Sequence, residues 1–547
     1  TLGAGVVEVP PGGGIPEATL VVPRRNNGPL VFANVAASMG VSVQFTGFSA
    51  TREVETFLRW NRARNLGEFM EGLQSFDFGS QNWAYADVHG NLAYFTSGEM
   101  PLREDLEAGA VDGLPPFFVR DGTGGNEWLP VAHPQPNQAV PYEILPPDEM
   151  PQVVNPPSGW CVNANNDPAG TTLDNDPLNQ TRPTGGILYL SPGYDGFRGG
   201  RITEMIRAEL GRDGTISFEE MQAMQADVTL LDAEALAPHL IAAFDGAAGG
   251  TTPELAALAG EPRVAEAIER LRSWDRTTPT GIPEGYDAVD TDGALSTPSD
   301  DEVADSVAAT IYSAWRSRVI ANTIDATVDG LGLARPDGDV AIADLRHLLE
   351  GYATNRGVGA SGLDFFVEPG AASPEDERDL LLLRSLAEAL DRLAGPSFAA
   401  AFDGSTDQDD YRWGRLHRVV LDHPLGGERS IPPAGGAFAQ PLPGLPGIPT
   451  DGGFNTVDAS GHSGRALDAN GFMFGGGPVR RFVGEMRPGQ RSRTESALPG
   501  GTSGQVGSER YLTLLRQWLT NESYPQVLSR GALQGTFVDE VRYVPAR

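Results

Sequence analysis

Gln81-Asn82-Trp83-Ala84-Tyr85-Ala86-Asp87-Val88-His89-Gly90-Asn91 decides how this chain is read. Trp83 and Tyr85 alternate with small neighbours toward a turn at Val88 to Asn91, the period of two that marks a strand entering a β-hairpin. His89-Gly90 supplies the turn chemistry, and the hairpin is expected over Gln81 to Ser97. Upstream, Ala18 to Val22 and Leu30 to Ala33 are β-rich, and Val41 to Phe45 alternates. Between them and the hairpin the period changes. Val54, Phe57, Leu58, Ala63, Leu66 and Phe69 recur at helical spacing, which predicts one amphipathic helix from Thr51 to Leu73.

Downstream, residues 98–158 are rich in Pro, Gly and Asp and keep no period, so a long ordered loop or meander is expected there. Helices dominate 201–400. Ser217 to Glu220 and Ser299 to Glu302 read as capping boxes, and Ser373-Pro374 as an N-cap ahead of a first-turn proline. The helices they open bear the stripes Val303, Val307, Ile311, Trp315 and Leu380, Leu383, Leu386, Leu390. Strand and turn chemistry returns over 408–500, with strands expected at Arg418 to Leu421 and within Arg480 to Met486. A last helix is expected from Glu509 to Trp518.

Composition removes whole mechanisms. The 547 residues include 73 acidic and 40 basic ones, a formal net charge of −33, which argues against nucleic acid or anionic membranes as partners. No apolar run is long enough to span a bilayer. Every basic residue is Arg; without Lys there is no Walker A loop, Schiff base, Ser-Lys dyad or pyridoxal phosphate site. Cys161 is the single cysteine, read as a small buried apolar residue, so no disulfide forms within the chain. The seven histidines form no His-Glu-x-x-His pattern, and no Gly-x-Ser-x-Gly elbow occurs, which disfavours a catalytic zinc and a classical serine hydrolase.

Two further blocks follow the hairpin: Asn155-Pro156-Pro157-Ser158-Gly159-Trp160-Cys161-Val162-Asn163-Ala164-Asn165-Asn166-Asp167-Pro168, then Gly199-Gly200-Arg201-Ile202-Thr203-Glu204. In this order and spacing the three blocks resemble the β-subunit of the penicillin acylase family, amidohydrolases with an N-terminal nucleophile. Asn26 to Val31 looks like that family's Thr-x-His-Gly-Pro-Val strand, with Asn27 where His is usual. Pro499 to Ser508, followed by Tyr511 and Trp518-Leu519, looks like its carboxy-terminal Gly-Gly-x-Ser-Gly-x-x-x-Ser segment.

The resemblance implies an α+β fold, the four-layer αββα sandwich of N-terminal nucleophile hydrolases, N-terminally truncated and carrying a helical insertion. It also implies one intertwined globule, with 1–210 as sheet core and active-site blocks, 211–400 as a mainly helical region, and 401–547 as the return to the sheet core and a final helix. The family's nucleophile lies a long stretch ahead of the Gly-Pro strand, and Thr1 stands just before it. The nucleophile is therefore expected upstream of Thr1, and this chain alone is expected to be inactive.

The implied chemistry is hydrolysis of a linear amide in an acylated amine, as in penicillin, acyl-homoserine lactone or lipopeptide acylases, with no cofactor required for catalysis. The implied partners are an acylated small-molecule substrate, an α-subunit and an upstream β segment from the same precursor, and the implied location is periplasmic or secreted. Trp413 to His417 leans toward the lactone and lipopeptide branch. The alternative is a non-catalytic remnant or an acidic secreted binding module.

By the same resemblance Asn165 is the oxyanion-hole asparagine, and Arg201 the active-site arginine whose planar fork holds Asn165 and the nucleophile's surroundings. Asp176 gives a carboxylate to a possible structural calcium. Each also has a plain structural reading. Asn163, Asn165 and Asn166 suit a turn before Asp167-Pro168, Arg201 suits a helix surface, and Asp176 suits a solvated turn. Trp83, Tyr85 and Trp160 either line an acyl pocket or belong to the core.

Overall fold

The computed structural model describes residues 28–536 and 541–544, apart from 35, 248–251, 291–292, 433–437 and 528. The expected strand Ala18 to Val22 and the residues Asn26 and Asn27 lie outside them. The chain forms two compact units, Thr1–Tyr194 and Asp195–Arg547, in a mixed helix and sheet architecture.

In the first unit, β1 (Leu30–Asn34) and β2 (Met39–Ser42) pair antiparallel. Gly28 ahead of them has φ +67°, and a Cβ there would lie 2.0 Å from the Val43 carbonyl oxygen, so only glycine fits this approach. The expected single helix is two: α1 (Glu53–Trp60) and α2 (Leu66–Leu73). Asn65 interrupts it. Its side chain accepts from the Glu68 N–H at 3.0 Å, and Glu68 accepts from the Arg64 N–H at 2.9 Å, an N-cap that starts a new helix inside an otherwise continuous apolar stripe.

The hairpin forms as expected, β3 (Asn82–Ala86) against β4 (Leu92–Thr96), with Asn82 opposite Thr96 and Trp83 opposite Phe95. β5 (Gln152–Val154) pairs with the far edge of β4. Apart from the single turn α3 (Glu104–Glu107), the long segment between β4 and β5 is irregular.

The second unit is mainly helical: α4 (Phe197–Asp213), α5 (Phe218–Gln225), α6 (Leu231–Ala247), α7 (Pro253–Ala259), α8 (Pro262–Ser273), α9 (Asp300–Ile320), α10 (Ala326–Gly330), α11 (Gly338–Glu350), α12 (Tyr352–Asn355), α13 (Pro374–Leu393) and α14 (Ala399–Phe402). Both capping boxes form, and Ser373 accepts from the Asp376 N–H. α9 buries 14 of its 21 residues, and with α6, α8, α11 and α13 it makes the main core around Ile311, Trp315, Leu383 and Leu386.

A smaller core surrounds Ile448, Phe474, Leu515 and Trp518. It lies among the short strands β6 (Arg418–Val419) and β7 (Ile448–Pro449), β8 (Arg481–Glu485), β9 (Arg493–Ala497) and β10 (Tyr524–Pro525). The last helix, α15, covers only Leu515–Leu519. The Leu514 N–H bonds to the Gly500 carbonyl at 2.9 Å, outside the helical pattern, so the expected start at Glu509 is replaced by turns. Among the described residues every strand pair is antiparallel and no sheet exceeds three strands.

Candidate active site

Alternation along the hairpin sends its two faces to different neighbours. Trp83 and Tyr85 point toward α1 and α2, where Trp83 meets Trp60 edge-on at 4.5 Å and Tyr85 lies 4.9 Å from Phe69. The Trp83 Nε1–H donates to Ser97 at 2.8 Å, and the Tyr85 hydroxyl donates to Asp87 at 2.9 Å. These half-buried aromatics pack against the helices. Neither they nor Trp160 line the cavities below.

The opposite face opens a cleft of about 430 Å³. Asn82 of β3, Thr96 of β4, the following Ser97 to Pro101, Met150, Asn165, Asn166 and Tyr194 line it. The loop that delivers Asn165 is built from its own side chains. Asn163 Oδ1 accepts from the Asn165 N–H at 3.4 Å, and Asn163 Nδ2 donates to the Tyr94 hydroxyl at 3.3 Å.

Asn166 accepts from the Ala164 N–H at 2.9 Å. Asp167 accepts from the N–H groups of Ala169, Gly170 and Thr172 and from the hydroxyls of Thr171 and Thr172. Burial alone would push the Asp167 carboxyl up; these donors hold it below its ordinary range. Asn165 itself has φ +60°, the left-handed conformation that asparagine tolerates, and is exposed to the cleft. Thus the turn reading of these asparagines holds together with the placement of Asn165 and Asn166 on a cleft wall.

The cleft shares Thr96, Ser97, Gly98, Glu99 and Met150 with a second cavity of about 140 Å³. Met70, Leu73, Phe76, Phe95, Ile144 and Leu145 make that one apolar. Both carboxylates on the cleft wall are engaged. Asp77 accepts from Arg52 through its backbone N–H, Nε and Nη2 at 2.9, 3.0 and 2.7 Å. Glu99 accepts from the N–H groups of Ala139 and Val140, and burial still leaves its carboxyl above the usual range.

Arg201 belongs to the second unit, in the second turn of α4. Its Nε and Nη2 close on the two oxygens of Asp227 at 3.0 and 2.7 Å, and Glu204 lies at 3.6 Å. Asp176, in the first unit, is an exposed turn residue that accepts from the Leu178 N–H at 3.1 Å. Its neighbour Asp174 accepts from the Asp176 N–H and from Asn179. Among the described residues no group of three or more His, Cys, Asp or Glu could hold a metal ion. These residues alone do not make a calcium cage, and no chemical step is routed through one. Cys161 is half-buried, and burial pushes its thiol up.

Sequence reasoning missed Tyr94, Glu99, Met150 and Tyr194. The β4 register could have flagged Tyr94, which lies two residues before Thr96 on the cleft-facing side. The other three carry no periodic signal.

A solved structure of a thermostable penicillin G acylase from Alcaligenes faecalis matches 96% of this chain and 78% of its own, with a TM-score of 0.55 at 16% identity. The architecture is therefore that of a penicillin acylase. Over 120 residues the chain is 31% identical to penicillin G acylase of Escherichia coli, a stretch that is 21% of this chain and 12% of that protein. The family model described as penicillin amidase matches residues 6–535, and the chain belongs to that family.

Proposed function

We propose that this chain forms the substrate cleft of an amidohydrolase that cleaves a linear amide in an acylated amine, through an acyl-enzyme on an N-terminal nucleophile. One observation carries the reading: Asn165 stands on the wall of a polar cleft that shares five residues with an apolar cavity. Such a pairing suits an amide whose acyl part enters the apolar cavity while its carbonyl stays at the polar wall. The Asn165 carboxamide then donates to the oxygen that becomes negative in the tetrahedral intermediate.

The cavity volume is of the order of the ~150 Å³ that accommodates a benzene ring in an engineered core, so ring-sized or short aliphatic acyl groups suit it. Arg201, held by Asp227, is the rigid cation of the α4 side of the reading. The proposal includes the four-layer αββα sandwich. It also includes an α-subunit partner and a periplasmic or secreted location. Among the described residues no helix is long and apolar enough to cross a membrane.

The test is turnover of a panel of N-acyl amines by the complete precursor-derived enzyme and its Asn165→Ala variant. A fall in kcat of about 10²- to 10³-fold, with KM little changed, is expected. Unchanged turnover in the variant removes Asn165 from the chemistry, and no turnover by the parent favours a non-catalytic binding role.

A further inference from the structure

The segment from Thr96 to Arg103 lines three cavities in succession. Its first residues wall the apolar cavity, Thr96 to Pro101 wall the Asn165 cleft, and Met100 to Arg103 wall a recess of about 40 Å³ closed by Tyr189 and Arg182. The recess and the cleft share Met100 and Pro101. Two arginines therefore line the recess, and their situations differ. Arg182 donates through Nε to Glu149 at 2.9 Å and through Nη1 to Glu107, the one carboxylate that lines the recess.

Among the described residues Arg103 has no ion pair. Its guanidinium carbon lies 5.7 Å from the centroid of the Tyr189 ring. Asp105, a carboxylate whose field favours the Arg103 charge, is taken by both terminal nitrogens of Arg120, whose own charge repels Arg103. Burial lowers the Arg103 pKa, as expected of a desolvated cation without a counter-ion.

Leaving such a charge uncompensated is costly, and a cation–π contact of about 1 kcal/mol returns only part of it. The recess has the right size to supply the rest. A water needs roughly 10 to 15 Å³ of such volume, so the space suits a group of about three heavy atoms. A carboxylate has three, carries the missing charge, and matches the planar donor fork of an arginine.

We propose that Arg103 receives a carboxylate on the amine half of the substrate, which makes N-acylated amino acids and similar acids the preferred substrates over neutral lactones or simple amines. This assignment rests on the cleft being the amide-binding site proposed above. The acyl group then lies at the Thr96 end of the segment, the scissile amide at Asn165, and the carboxylate at the Arg103 end. Arg103 sets specificity and takes no part in bond cleavage.

The test compares an N-acyl amino acid with its C-terminal amide, both carrying the same acyl group, in the complete enzyme. The parent enzyme should favour the acid by roughly 10- to 100-fold in kcat/KM, the worth of a charged hydrogen bond. Arg103→Gln should erase that preference through the KM of the acid while leaving the amide substrate unaffected, and Arg103→Lys should keep part of it. A preference that survives in Arg103→Gln, or an equal loss for both substrates, overturns the assignment.

Calorimetric titration of the N-acyl amino acid separates this failure from that of the parent reading. Binding lost in Arg103→Gln supports the subsite even without turnover. Equal binding by parent and variant overturns it.

Discussion

Two arginines, one in each unit, are held in opposite ways. In the second, Arg316 sits in the middle of α9 with no exposure, donates to Asp232 at 2.7 Å, and lies 4.9 Å above the Phe454 ring; Asp232 also accepts from the Tyr312 hydroxyl at 3.0 Å. In the first, half-buried Arg103 has an aromatic face and, among the described residues, no ion pair. The apolar side chains differ likewise. α9 is buried on all sides, whereas α1 leaves Val54 74% and Leu58 55% exposed. A helix buried all round needs every charge on it paired. A unit that encloses a cleft can keep an unpaired cation facing the space where a ligand goes. On the function proposed above, the paired core around Arg316 is scaffold and the cleft of the first unit is where substrate goes.

The largest expected effect breaks the scaffold side of this contrast. Asp232→Ala leaves the Arg316 charge buried without a partner and should cost about 3 to 5 kcal/mol in denaturant unfolding. Replacing both partners, Asp232→Leu with Arg316→Met, should recover most of that loss, because a buried pair is close to break-even against apolar groups. If the double variant is as unstable as the single, the pair has a structural role beyond charge balance. Asn165→Ala is the converse. Its effect belongs in the rate, as argued above, and its unfolding free energy should fall by only about 1 kcal/mol, the backbone cost of alanine at this left-handed loop position. A large loss of stability would place Asn165 with the scaffold.

What was legible in the sequence follows the same division. The caps at Ser217, Ser299 and Ser373 and the hairpin at Trp83 and Tyr85 were readable because their physics is local, a side chain satisfying a backbone group a few residues away or a strand alternating its faces. The break at Asn65 was hidden because Leu66 and Phe69 continue the apolar stripe of α1 across it. The late start of α15 depends on a bond from Leu514 to Gly500, which no local pattern announces.

For the candidate site, the motif drew attention to Asn165, which lines the cleft, whereas Glu99 and Arg103 lie in an aperiodic stretch where no spacing predicts what they meet. The aromatics of the hairpin misled in one respect, since an acyl-pocket role was open for them. Their partners are Trp60 and Phe69, on helices that the sequence does not align with the hairpin.

Among smaller effects, Ser299→Ala removes the hydroxyl that caps α9 and accepts from the Glu302 N–H at 3.2 Å, and should cost about 1 kcal/mol. That loss should appear in global unfolding, because α9 is the spine of the main core. A loss confined to local amide exchange at residues 299–303 would show that the first turn of α9 frays independently of the core.

The smallest effect tests whether the hairpin under the cleft depends on its turn. Asp87 accepts from the N–H groups of His89 and Asn91, from the Asn91 side chain and from the Tyr85 hydroxyl. Desolvation raises its carboxyl, but these donors outweigh it and draw the pKa down to about 2. A folded pKa below the unfolded value of about 3.9 means stability that is fully present above the unfolded pKa and lost as pH falls toward 2. The turn is solvent-accessible, so screening limits the contribution to under about 1 kcal/mol. In the parent, amide protection of Trp83 to Phe95 should decline between pH 4 and pH 2 more steeply than in Asp87→Asn, which has no proton to gain there. Parallel decline in the two proteins would mean that the hairpin is held by its packing on α1 and α2 rather than by its turn, and the cleft wall would then belong with the scaffold in its response to acid.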